Sequence, residues 1–308
     1  MAATLRQPCR PRAVSGRSEP LARHLPSPLT YVREQIHTIR SQTDQPFGVG
    51  FITHCIPAAP QNFEVALEKN VPVILFSFAD PEPWLSRAKA AGALTVCQVQ
   101  IKAAHAAAAA GADVLVAQGN EAGGHTGRMN LLPFLVSLVE AFPQLSVLAA
   151  GGIATGRSLA AVLAAGAEGA FMGTAFLATG EATEVPEATK ELIVESQAEE
   201  TVYTQVCDIM NGAMAKSPPW PEGIAARLYK NKFVQKWHGQ ENDLRQRLDQ
   251  ILPDYAEARQ RHNLNTIPAY FGESASFGHA VRAAEEVLRS VCDDAERLLR
   301  QRIADLIQ

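Results

Sequence analysis

Between Phe47 and Gly180, short apolar runs alternate with alanine-rich stretches whose apolar positions recur at helical spacing, and Gly or Pro punctuates the joins. The runs FGVGFI (47–52), VPVILFSF (71–78), ALTVCQV (93–99), DVLVAQG (113–119), LSVLAAGG (145–152) and GAFMG (169–173) predict six strands. Helices are predicted near 60–69, 81–91, 102–110, 131–141 and 156–165. Near-continuous apolar strands joined by crossover helices require a parallel sheet buried on both faces, either doubly wound or rolled into a barrel. The phrases AAGAL, AAGADVLV and AAGAEGAFMG favour the barrel. Each ends a helix on Gly and restarts a strand about two residues later, the short return of a (β/α) unit.

From about Val185 the rhythm changes. EVPEATKELIVESQAEE reads as a charged helix, TVYTQVCDI as a short extended piece and NGAMAKSPPWPEGI as a Pro-rich loop, with amphipathic helices over 240–262 and 279–307. The expected organisation is an atypical or disordered segment over 1–30, a barrel portion over 31–184, a helical and loop appendage over the barrel mouth at 185–270, and a C-terminal helical segment over 271–308 packing on the barrel. The first thirty residues carry Arg6, Arg10, Arg12, Arg17 and Arg23 against Glu19, among Ser and Pro. Transit peptides share that composition, but the prolines oppose an amphipathic helix and favour a tail in a cytoplasmic protein over mitochondrial import.

Composition narrows the function. At 308 residues and 47% hydrophobic, the chain can bury a sizeable core. A formal net charge of −4 offers no general attraction to nucleic acid or anionic membrane, so a small molecule is the expected partner. Apolar runs break within about ten residues, against the roughly twenty a bilayer span needs. The five cysteines lack metal-ligand spacing, which argues against a zinc site or a disulfide framework.

In parallel α/β folds, ligands bind at the carboxyl ends of strands, which puts the residues just after each apolar run first in line. LAAGGIATGRS brings Gly151 and Gly152 to one strand end, and FMGTAFL brings Gly173 and Thr174 to the next. Paired glycines let the backbone approach an anion, and helix N-termini and a Thr hydroxyl can bind phosphate oxygens; tight turns are the plainer reading of each pair alone. On the preceding strand's loop, NEAGGHTGR sets His125 beside Gly123 and Gly124. No apolar periodicity surrounds this histidine, so it reads either as a solvent-facing loop residue or as a group for proton transfer or anion binding.

VAQGNEAGGHTGR, LAAGGIATGRS and AEGAFMGTAFL, in that order and spacing, resemble the nitronate monooxygenase family, formerly called 2-nitropropane dioxygenases. PFGVGFI, VPVILFSF and CQVQ fit the same pattern, with WPEGIAARLYKN and AYFGESASF matching more loosely. The resemblance covers roughly 31–300. It implies an FMN-dependent (β/α)8 TIM barrel with an inserted helical region and a C-terminal helix, oxidising alkyl nitronates or nitroalkanes with O2 to a carbonyl compound and nitrite. On the matching positions, His125 is the implied catalytic residue, facing the flavin. Gly151, Gly152, Gly173 and Thr174 would hold the FMN phosphate. Gln98, Ala117 and Gly119 would line the flavin, with Gln98 hydrogen-bonding its ring edge, and Gly123 and Gly124 would leave space beside it.

Two departures stand out. About six strands are evident where the family has eight, the first two being replaced by LRQPCRPRAVSGRSEPLARHLPSP; a truncated start is the favoured explanation, with covering of the open edges by the N-terminal segment or a partner copy as the other. Gly50 stands where relatives often carry an Asn that touches the cofactor. FMN-dependent NAD(P)H:quinone reductases and enoyl-[acyl-carrier-protein] reductases share the glycine blocks and stay open as alternatives. So does a flavin-free remnant, and so does assembly into a homo-oligomer. Of the smaller candidates, Cys97 reads as core, Glu121 as a cap or solvated turn residue, His105 as surface, and Lys230 and Asn231 as a helix end or a cover on the pocket.

Overall fold

The computed structural model describes residues 2–4, 28–215 and 219–307. Its strands are β1 (Ala2–Thr4), β2 (Gly48–Ile52), β3 (Val73–Ser77), β4 (Leu94–Val99), β5 (Val114–Gln118), β6 (Gly124–Thr126), β7 (Ser146–Ala150), β8 (Gly169–Phe171), β9 (Thr201–Thr204) and β10 (Ala225–Tyr229). One sheet has the order β1-β8-β7-β5-β4-β3-β2, the other β6-β10-β9. Apart from β1, which runs antiparallel to β8, the larger sheet is a curled parallel sheet of six strands. Its strands neighbour one another in chain order, with no reversal at a switch point, which is the winding of a barrel rather than of a doubly wound sheet. All six predicted strands form it. Most of the atypical N-terminal segment lies outside the described residues, and a helix, Pro28–Gln42, precedes β2.

The chain divides into two compact units. The first comprises 1–117, 134–149 and 165–171, and the second 118–133, 150–164 and 172–308. In the first, helices Pro60–Glu68, Glu82–Ala90 and Ile101–Ala109 cover the sheet through apolar positions three or four apart, with Phe63 and Ala66, Leu85 and Ala88, and Ala104 and Ala107 buried. Phe63 meets Phe51 and Trp84 edge-on at 5.5 and 5.4 Å. The "aGA" returns have a backbone cause. Gly92, Gly111 and Gly166 adopt φ of 81°, 84° and 97°, where a Cβ is strained. The following amides fold back onto the helix, Ala93 N–H to Ala88 C=O at 3.1 Å and Ala112 N–H to Ala107 C=O at 3.0 Å.

The second unit holds the small antiparallel sheet. Helices Val206–Ala215 and Leu248–Gln260 pack there in a core of Val206, Met210, Ala226, Leu228, Val234, Trp237 and Tyr255. The helix Val206–Ala215 corrects the extended-then-loop reading of VCDI and NGAMA. Val206, Cys207 and Met210 bury on one face, a pattern too short to register in the sequence before Gly212 and the prolines. The C-terminal helix Ala284–Ile307 lies close against helix Gly156–Ala164, where a side chain on Gly156 would collide with Asp294 and Ala295.

Candidate active site

The loop after β5 is the hub of the second unit. Gly119 N–H donates to Ala150 C=O at 2.8 Å, its carbonyl accepts the Thr126 hydroxyl at 2.9 Å, and Asn120 N–H reaches Met129 C=O at 2.7 Å. Glu121 accepts the Leu131 N–H with both oxygens at 3.0 Å, capping helix Leu131–Ala141. Buried Arg227 clamps the loop from β10: Nε donates to Asn120 C=O at 2.6 Å, and Nη1 to Thr201 Oγ1 at 3.0 Å with Glu273 at 3.1 Å. Burial lowers the Arg227 pKa from its ordinary value, against the opposing pull of Glu273 and Glu121.

His125 is not a solvent-facing loop residue. Gly124, at φ 77°, turns the chain into β6, where His125 pairs with Ala226 of β10. Its side chain is 8% exposed, and Nε2 lies 2.8 Å from Asp208 Oδ1, on the first turn of helix Val206–Ala215. Trp220 stacks on the imidazole, centroids 3.4 Å apart and planes 14° apart, and Tyr270 lies tilted at 6.1 Å. Gln118 Nε2 donates to the His125 carbonyl at 3.0 Å. Two oxygens here, Gln118 Oε1 and Asp208 Oδ2, are buried without a hydrogen-bond partner.

The expected phosphate loops lie in the same unit. Gly151 and Gly152 take φ of 106° and 68°, conformations that favour glycine, and a Cβ on Gly151 would sit 3.0 Å from Ala122 N. Gly173 faces open space, with nothing within 4 Å of where its Cβ would be, so a phosphate can approach that backbone. Thr174 Oγ1 accepts the Gly272 N–H at 2.9 Å, which leaves its own proton to donate. The helix after Gly152 is partly capped already, because Ser158 Oγ accepts the Ala154 and Thr155 N–H groups at 3.1 and 3.0 Å. These residues fit a phosphate monoester, with Gly173 the open contact and the buried Thr174 hydroxyl beside it in sequence.

The space at two other predicted glycines is taken by the chain itself. A Cβ on Gly123 would sit 2.5 Å from Phe271 Cα, and one on Gly272 2.6 Å from Gly123 N; the two backbones cross where neither carries a side chain. A Cβ on Gly119 would meet Leu131 Cβ at 2.5 Å. Gly124 alone of that trio has open surroundings. Gln98, half-buried near the end of β4, and Ala117, fully buried in β5, belong to the first unit. There Cys97 is buried core. Lys230 is exposed, whereas Asn231 is buried and caps helix Lys232–Trp237 through Val234 N–H at 2.9 Å. Sequence reasoning missed Asp208, Trp220, Gln118 and Arg227. Trp220 was within reach in the WPEGI block, but a lone aspartate ahead of a Pro-rich stretch carried no signal.

Among the described residues no helix is long and apolar enough to cross a membrane, and no group of three or more His, Cys, Asp or Glu is placed to hold a metal. The "(3aS,4S,5R,7aS)-5-hydroxy-7a-methyl-1-oxo-octahydro-1H-indene-4-carboxyl-CoA dehydrogenase" of Mycobacterium tuberculosis is 37% identical over 204 residues, 65% of this chain and 53% of that protein. The chain spans about half the length of the curated relatives it matches. Among solved structures, FabK from Thermotoga maritima aligns with a TM-score of 0.77 and 28% identity, over 90% of this chain and 84% of its own. Nitroalkane oxidase from Streptomyces ansochromogenes aligns with a TM-score of 0.73 and 26% identity, over 89% and 87%. A family model described as nitronate monooxygenase matches residues 54–217, and the chain belongs to that family.

Proposed function

We propose that the protein is an FMN-dependent oxidoreductase that oxidises alkyl nitronates with O2 to a carbonyl compound and nitrite. The observation that carries this reading is the buried His125, bound to Asp208 at 2.8 Å and set in the same unit as the Gly151, Gly152, Gly173 and Thr174 loops. Family membership and the likeness to a nitroalkane oxidase support it. Gly173 and Thr174 would bind the FMN phosphate, with Gly151 and Gly152 in the same unit. The bound flavin supplies the electron-accepting chemistry. His125 binds the anionic nitronate or takes the α-proton of a nitroalkane at its free ring nitrogen. Trp220 covers one face of that imidazole and excludes water from it.

The test is nitrite release from propyl-2-nitronate by protein incubated with FMN, in air and without NADH. Flavin reduction by NADH coupled to a quinone or enoyl substrate, with no nitrite from the nitronate, would overturn the reading. So would failure to take up FMN. The identity with a carboxyl-CoA dehydrogenase favours a second reading, oxidation or reduction of an acyl-CoA thioester, assayed on the same preparation with a ring-bearing carboxyl-CoA.

A further inference from the structure

We infer that Asp208 is a positioning residue that fixes the tautomer and the in-plane orientation of the His125 ring, leaving Nδ1 as the nitrogen presented to substrate. The inference rests on the reading of His125 as the substrate-facing residue and deepens it. A carboxylate only accepts hydrogen bonds, so the 2.8 Å contact places an imidazole proton on Nε2, and in the neutral ring this leaves the lone pair on Nδ1. The pair is secluded, with side chains 8% and 12% exposed, so the bond acts in a low dielectric.

Each degree of freedom of the ring is constrained by a different element. Gln118 at the end of β5 holds the His125 carbonyl, β10 holds its backbone, Trp220 sets the ring plane, and Asp208 sets the rotation within that plane. Asp208 stands in the first turn of its helix, where the dipole favours a negative charge.

A purely structural role explains the carboxylate poorly. A buried carboxylate that stabilises a fold ordinarily satisfies both oxygens, because an unpaired one carries a desolvation cost. Asp208 Oδ2 is buried with no partner, so the group sits where it costs stability and aims one oxygen at one imidazole nitrogen. Retaining such a group is expected where orientation of its partner matters, since misplacing a reacting group by about 1 Å costs on the order of a hundredfold in rate.

The test compares wild type, Asp208→Leu, which is close in size and offers no acceptor, and Asp208→Glu, which keeps the carboxylate. Histidine-labelled protein, with His125 assigned from a His125→Asn sample, is examined by proton–nitrogen NMR. A downfield, exchange-protected Nε2–H resonance is expected in wild type, weakened in Asp208→Glu and absent in Asp208→Leu. In turnover of propyl-2-nitronate, kcat should fall about a hundredfold in Asp208→Leu and recover in part in Asp208→Glu, with KM and FMN affinity little changed. A wild type lacking the protected resonance, or an Asp208→Leu protein that turns over like wild type, overturns the inference. If no variant releases nitrite but the resonance behaves as stated, the nitronate reading falls and the positioning of His125 by Asp208 stands. If Asp208→Leu does not fold, the wild-type and Asp208→Glu spectra decide alone.

Discussion

Replacing Gly123 with alanine tests what the glycine pair beside His125 is for. The new Cβ would sit 2.5 Å from Phe271 Cα and nearer still to Phe271 C and Gly272 N, against the roughly 3.5–4.0 Å of an ordinary carbon contact. All three obstructing atoms are backbone, so one strand of the crossing must retreat by about 1 Å. Retreat strains the two bonds that pin it, Glu273 N–H to Glu121 C=O at 3.0 Å and Gly272 N–H to Thr174 Oγ1 at 2.9 Å. Overpacking costs about 1–3 kcal/mol and one lost hydrogen bond about 1 kcal/mol, so the expected loss is about 2–4 kcal/mol. Thermal unfolding without FMN should drop by about 3–6 °C. Gly173→Ala is the control, because its Cβ meets nothing within 4 Å and its φ of −114° suits alanine. Equal melting temperatures for the two flavin-free variants would refute the reasoning. Weaker FMN binding by Gly123→Ala with unchanged stability would restore the view that this glycine makes room for a cofactor.

Other outcomes follow from single sites. Gly173→Ala should weaken FMN binding at least tenfold in a flavin-fluorescence titration, since a methyl there enters the open approach to the backbone. Cys97, whose thiol burial and then Asp113 push up to about 12, should resist iodoacetamide at pH 8 in native protein and react in urea, read by peptide mass spectrometry. Burial alone would raise the Asp113 pKa, but hydrogen bonds from Thr95 and Lys89 outweigh it and hold the carboxylate below its ordinary 3.8. Its stabilisation is therefore complete above the unfolded value and is lost as pH falls through the lower folded one. The urea midpoint of wild type should exceed that of Asp113→Asn at pH 7, and the gap should close below about pH 4.

The parallel sheet was legible because it is local. Each strand is a short apolar run, each helix a 3.6-residue pattern, and the returns at Gly92, Gly111 and Gly166 use a glycine at positive φ. The second unit was less legible because its partners are remote in sequence. Nothing near His125 announces that residue 208 will hold its ring or that residue 226 will pair with it. Gly123 could be picked out as necessary, but the body needing its space, the Phe271–Gly272 backbone, lies some 150 residues away. Composition identifies which residues are unusual, and packing decides what occupies the room they leave.

The pairing of β6 with β10 also has a kinetic side. His125 opposes Ala226, about a hundred residues further along, so closing that contact carries the loop-entropy cost of a long-range pairing. Asp208 and Trp220 likewise come later in the chain. Emerging from the ribosome, the polypeptide would complete the motif around His125 long before its supports. A fragment ending at residue 217, where the family match stops, would keep every glycine of the signature and the Gln118 and Asp208 contacts of His125, and lack the Trp220 stack and the β10 pairing.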